Sequence, residues 1–95
     1  MTLEELHEKL VEIISNLTSS GFVNVDPETM EKLYKYAVAA GEMGLKEGKR
    51  LIENLTETMK AIQEGRSNTG SGILRLTALE FYLKRYPIDE PVEDL

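Results

Sequence analysis

Apolar and small residues between Met30 and Ile62 recur in steps that alternate four and three, without a slip over the whole segment. This spacing places them on one face of an α-helix and is typical of the heptad register of packed helices. The members of this seam are Met30, Tyr34, Ala37, Gly41, Gly44, Gly48, Leu51, Leu55, Thr58 and Ile62. Because a chain of 95 residues forms one domain, a helix over 27–64 would dominate its fold.

The glycines of this seam leave two interpretations open. Inside a helix, each glycine costs about 1 kcal/mol relative to alanine. A continuous helix, bent or straight, is favoured because residues 41–46 contain no Ser, Thr, Asp, Asn or Pro to start a new helix. The small residues would then allow a close approach of a second backbone. In the alternative, the chain breaks at 41–44 and forms a four-helix bundle, which could be monomeric.

Two shorter helices complete the prediction. Thr2 and Glu5 have the spacing of a capping box, so the first helix covers about 2–18. A loop rich in glycine and serine at 65–72 precedes a helix over about 72–86, which ends before Pro87. The fold class is therefore all-α, with three helices at about 2–18, 27–64 and 72–86. We expect one helical domain over 1–86 and a flexible acidic tail over 87–95.

The last helix is apolar on two faces. Its main stripe consists of Leu76, Leu79, Leu83 and Tyr86. A second stripe, Leu74, Ala78 and Phe81, lies on nearly the opposite side. Such a helix is either central to a bundle or shared with a second chain. A continuous helix over 27–64 would also leave part of its seam uncovered by the rest of the chain. We therefore predict a homodimer or higher assembly, with additional binding to another protein, through the following residues: Ala37, Gly41, Gly44, Gly48, Leu74, Ala78 and Phe81.

Composition and charge exclude several classes of function. The chain has no cysteine, which excludes disulfides, thiolate metal sites and thiol catalysis. Its net charge of −6 argues against general nucleic-acid binding, although 65–86 holds four basic residues and one acidic residue. The sequence shows neither the pattern of a signal peptide nor an apolar run of about 20 residues, so we expect a cytoplasmic protein without membrane contact.

Two candidate chemical sites remain. Glu4 and His7 form a Glu-x-x-His pair, a spacing used in carboxylate-bridged metal bundles. A metal- or small-ligand-binding bundle that uses His7 and nearby glutamates is thus the alternative function. Arg66 and Arg75 flank the loop before the last helix and could bind an anion there. With one histidine and no catalytic constellation, the sequence favours a protein that is not an enzyme and needs no cofactor. No motif identifies a family.

Overall fold

The structure, a computed structural model, describes residues 1–22 and 25–85 and shows an all-helical chain. The helices are α1 (Leu3–Ser20), α2 (Pro27–Glu42), α3 (Lys46–Gln63) and α4 (Thr69–Arg85). In this bundle α1 packs against α2 and α4, and α3 packs against the same two helices. The prediction of three helices with one continuous helix over 27–64 is therefore wrong, and the four-helix alternative fits. The predicted tail, 87–95, and Tyr86 lie outside the described residues.

The turn between α2 and α3 explains why the continuous helix does not form. Gly44 has a φ of +81°, in the left-handed region that favours glycine. Its amide donates to the carbonyl of Gly41 at 3.1 Å, and the amide of Leu45 donates to that of Ala40 at 2.9 Å. These two bonds form a Schellman motif, which satisfies the last carbonyls of α2. The helix ends through glycine geometry, so no capping side chain or proline is needed at 41–46.

The left-handed backbone at Gly44 makes this turn sensitive to a Cβ atom. Apart from Gly44 itself and its two chain neighbours, no heavy atom lies within 4 Å of the position that such a Cβ would take, so any penalty comes from the local backbone conformation. We expect Gly44→Ala to lower the free energy of unfolding by about 1–2 kcal/mol. Gly44→Asn should cost less because asparagine tolerates this conformation better than alanine. Urea denaturation followed by circular dichroism measures both; equal losses would contradict the assignment.

The start of α1 follows the predicted capping box. The amide of Glu5 donates to the Thr2 hydroxyl at 3.1 Å, and the amide of Thr2 donates to the Glu5 carboxylate at 2.8 Å. The bond from the Thr2 amide is the main cause that lowers the pKa of Glu5 below its ordinary value. This reciprocal pairing sets the beginning of α1, and Gly21 ends that helix with a φ of +82°.

A second Schellman motif ends α3. Gly65 has a φ of +77°, and the amide of Arg66 donates to the carbonyl of Ala61 at 2.7 Å. The side chain of Asn68 then accepts the amide of Ser71 at 3.0 Å. Asn68 therefore caps α4, which begins three residues before the predicted position.

The core lies between the four helices. Leu33, Leu55 and Leu79 come from three different helices, and each is fully buried. Other fully or nearly fully buried side chains are Leu6, Ile52, Thr56 and Met59. Thr56 donates its hydroxyl to the carbonyl of Ile52 at 2.7 Å, so its polar atom has a partner. Within the described part of the chain, no helix has both the length and the apolar character needed to cross a membrane.

Candidate functional site on the outer face of α4

One face of α4 points away from the bundle and is apolar. Leu74 is 66% exposed and Phe81 is 61% exposed, and the half-buried Ala78 lies between them. Spacings of four and three residues align these side chains along one side of the helix. We call Leu74, Ala78 and Phe81 the outer face of α4. The structure thus places Leu74 and Phe81 on the surface of this helix, whereas Ala78 between them is partly buried and also packs against the core.

The opposite side of α4 belongs to the core. Leu76, Leu79 and Leu83 are buried, as their predicted stripe requires. Folding of the chain therefore accounts for only one of the two apolar stripes. Single exposed apolar residues are common in proteins, but a row of them on one helix is a feature of interaction surfaces.

The charges on the described part of α4 are mainly positive. Arg75, Lys84 and Arg85 are all exposed. Arg85 follows Phe81 by four residues and so extends the outer face toward the end of the helix. Glu80 is the only acidic residue of α4, and it lines the cleft between α1 and α4 together with Lys84, so Arg75 and Arg85 are the charges of α4 outside this cleft. The outer face is therefore an apolar ridge accompanied by positive charge.

A groove between α2 and α3 offers a second exposed apolar surface. Its volume is about 340 Å³, and it is lined by Tyr34, Ala37, Val38, Glu53 and Glu57. Val38 is 58% exposed, and Tyr34 is exposed to a similar degree. The two glutamates supply carboxylates from α3 beside the apolar side chains from α2. We call these five residues the α2/α3 groove.

The small residues predicted to form an interface are spread over different environments. Ala37 and Gly48 are buried within the bundle, and Gly44 is part of the turn. A Cβ on Gly48 would lie 3.0–3.2 Å from atoms of the Tyr82 side chain. Gly41 is exposed beside the side chain of Lys49. The close approach at Gly48 thus occurs between α3 and α4 of one chain.

The candidate metal ligands do not form a cluster. His7 is half-buried, and its Nε2 lies 3.4 Å from the carbonyl oxygen of Leu83, whereas Glu4 is exposed. Within residues 1–22 and 25–85, no three His, Cys, Asp or Glu side chains are grouped so that they could hold a metal. His7 instead lines a cleft of about 300 Å³ between α1 and α4, together with Val11, Ile14, Ser15, Glu80, Leu83 and Lys84.

The two candidate anion ligands are exposed, but the structure gives one of them an acidic partner. The Arg66 guanidinium donates to the Glu64 carboxylate at 2.6 and 2.8 Å. At the start of α4, the amide of Ser71 donates to Asn68. One of the amides that an anion would use is therefore engaged by the capping side chain.

Sequence reasoning missed the α2/α3 groove as a surface. Tyr34 belongs to the seam that the sequence predicts, but the structure leaves it exposed. The sequence feature that could have revealed the groove is Gly44: a turn at this glycine separates the helical registers of α2 and α3. Each helix then has its own apolar stripe, and Tyr34 falls outside the stripe of α2, which consists of Leu33, Tyr36, Ala37 and Ala40.

Comparison of the chain with protein-family models, curated proteins and solved structures found no match.

Proposed function

We propose that this protein is a non-catalytic interaction protein, an adaptor, regulator or small assembly subunit, that self-associates through its helices. The outer face of α4 carries this proposal. Its two large side chains, Leu74 and Phe81, are both more than half exposed, although the same helix contributes Leu76, Leu79 and Leu83 to the core. Burying an exposed leucine or phenylalanine contributes about 1.5–3 kcal/mol. Association would therefore bury two apolar side chains that remain exposed to water in the folded chain.

The free energy gained by burying Leu74 and Phe81 determines how much apolar surface the partner must contribute. Because each side chain is already about one-third buried, Leu74 and Phe81 together contribute roughly 2–4 kcal/mol on further burial. A dissociation constant of about 1 μM requires about 8 kcal/mol, after the cost of immobilising two molecules. The partner surface must then contribute apolar side chains of its own. A second protein that binds the same face would have to meet the same requirement.

The alternative, a metal- or small-ligand-binding bundle, has weaker support. It rests on the cleft beside His7, where Glu80 and Lys84 bring opposite charges. These two charges largely offset each other, so the cleft offers little net attraction to a metal cation or to an anion. Glu4, the other predicted ligand, is not among the residues that line this cleft.

A charge placed on the outer face tests the proposal. We expect Phe81→Glu to weaken self-association by tenfold or more. The substitution removes an apolar side chain whose burial contributes at least about 1.4 kcal/mol, which corresponds to a factor of ten in the dissociation constant. Leu3→Glu is the control, since it adds the same charge to an exposed apolar residue of α1. Light scattering coupled to size-exclusion chromatography measures the mass of each variant. An equal effect of both substitutions, or an effect of neither, would count against the outer face.

A further inference from the structure

We infer that the surface that receives the outer face of α4 is the α2/α3 groove of a second copy of this chain. This inference rests on the proposed self-association and names the partner surface. The association would be head-to-tail, because the two contacting surfaces differ and lie on different helices.

The apolar contribution does not by itself select the α2/α3 groove. If two outer faces packed against each other symmetrically, the contact would bury Leu74 and Phe81 from each copy. If the outer face packed into the groove, it would bury Leu74 and Phe81 of one copy with Tyr34 and Val38 of the other. Both arrangements bury four large exposed side chains, so their apolar contributions are similar. The difference between them must come from charge.

Charge disfavours the symmetric arrangement. Glu80 and Lys84 both line the cleft with α1, so the exposed charges of α4 outside this cleft are Arg75 and Arg85. Two outer faces in contact would therefore bring positive side chains together without a carboxylate from either face. Juxtaposed like charges oppose association and select against such a pairing.

The α2/α3 groove has the opposite sign. Glu53 and Glu57 line it beside Tyr34 and Val38. Lys49 lies 3.9 Å from Glu53, but both side chains are about half exposed, so this pair is weak and leaves the carboxylate available. No such pair is found for Glu57 among the described residues. An apolar ridge with positive charge thus meets an apolar groove with negative charge.

Mixing two blocked variants tests the head-to-tail contact. Phe81→Glu blocks the outer face but keeps the groove, and Val38→Glu blocks the groove but keeps the outer face. Alone, each variant should have the mass of one chain. A mixture in equal amounts should form a species of two chains, because one intact face and one intact groove remain. The blocked surfaces cannot pair with each other, since both carry an added carboxylate. Native mass spectrometry and light scattering measure the masses.

The outcomes separate this inference from the proposed function. Loss of association in both variants with recovery on mixing supports the head-to-tail contact. Loss in Phe81→Glu alone overturns the groove as partner but leaves the outer face as a symmetric interface. Loss in both without recovery on mixing also overturns the inference. A wild-type chain that stays monomeric at all concentrations overturns the inference and the proposed self-association together.

Two further measurements keep the test decisive. Circular dichroism of each variant verifies folding, and Tyr34→Glu replaces Val38→Glu if that variant unfolds. The salt dependence of the dissociation constant distinguishes the two arrangements independently. Contact between opposite charges weakens as ionic strength rises, whereas contact between two positive faces strengthens. We expect the dissociation constant of the wild-type assembly to rise with salt; a fall would overturn the groove as partner.

Discussion

Replacing Leu79 by alanine is expected to lower the free energy of unfolding by about 2–5 kcal/mol. Leu79 is completely buried and lies in the stripe by which α4 joins the core. The substitution removes the transfer free energy of the lost methyl groups and leaves a cavity that the neighbouring helices can fill only in part. Urea denaturation followed by helical circular dichroism measures the loss, at protein concentrations low enough to keep the chain dissociated.

The same substitution on the other side of α4 is the control. Leu74 is 66% exposed, so Leu74→Ala should change the unfolding free energy by less than about 0.5 kcal/mol. It should nevertheless weaken self-association, since the outer face loses one of its large side chains. The two variants thus separate folding from association on a single helix. Similar stability losses in both would mean that the two sides of α4 are not distinct.

Gly48→Leu is expected to destabilise the bundle by about 1–3 kcal/mol through overpacking. A Cβ at this position would already lie 3.0 Å from the Tyr82 hydroxyl and 3.1–3.2 Å from its ring carbons. A leucine adds three further carbons beyond that Cβ, in the space where α3 meets α4. The gain in helix propensity, about 1 kcal/mol at most, does not offset this crowding. Thermal and urea denaturation measure the effect.

Gly41→Leu is the matched control for this position. Gly41 belongs to the same seam in the sequence but is exposed in α2, where a Cβ would approach only the side chain of Lys49. That flexible side chain can move away, so stability should stay unchanged or rise by up to about 1 kcal/mol. Comparable losses at Gly41 and Gly48 would contradict the four-helix bundle and agree better with one continuous glycine seam.

Local signals in the sequence predicted much of the fold. The Thr2 and Glu5 capping box set the start of α1, and α2 begins at Pro27, where the predicted long helix begins, although the Asp26 side chain forms no capping hydrogen bond. In α4, the periodicity correctly separated Leu76, Leu79 and Leu83 from Leu74 and Phe81. These predictions succeed because caps and stripes depend on residues within a few turns of one another.

The break at Gly44 was harder to predict because its decisive feature is a backbone conformation. Residues 41–46 contain no capping side chain, and the structure shows no side-chain cap hydrogen bond at Leu45, the N-cap residue of α3. The Schellman motif uses backbone groups and one glycine, so it leaves little mark on composition. Three glycines in eight residues fit a turn as well as a close crossing, and tertiary packing of α2 against α3 decides between them.

The break at Gly44 changes which residues can form a contact between chains. With a continuous helix, the small residues would have formed the contact between chains. In the four-helix bundle, Ala37 and Gly48 are part of the chain's own packing. The proposed association then depends on the outer face of α4, and the turn also creates the α2/α3 groove. Neither surface involves the glycines as contact residues.

The most direct test of self-association is the molar mass of the wild-type chain in solution. Sedimentation equilibrium over micromolar to millimolar concentrations gives this mass without immobilising or labelling the protein. The proposed outer-face contact predicts an average mass that rises above the 10.7 kDa of one chain as the concentration increases. A mass that stays at the value of one chain over the whole range would contradict it.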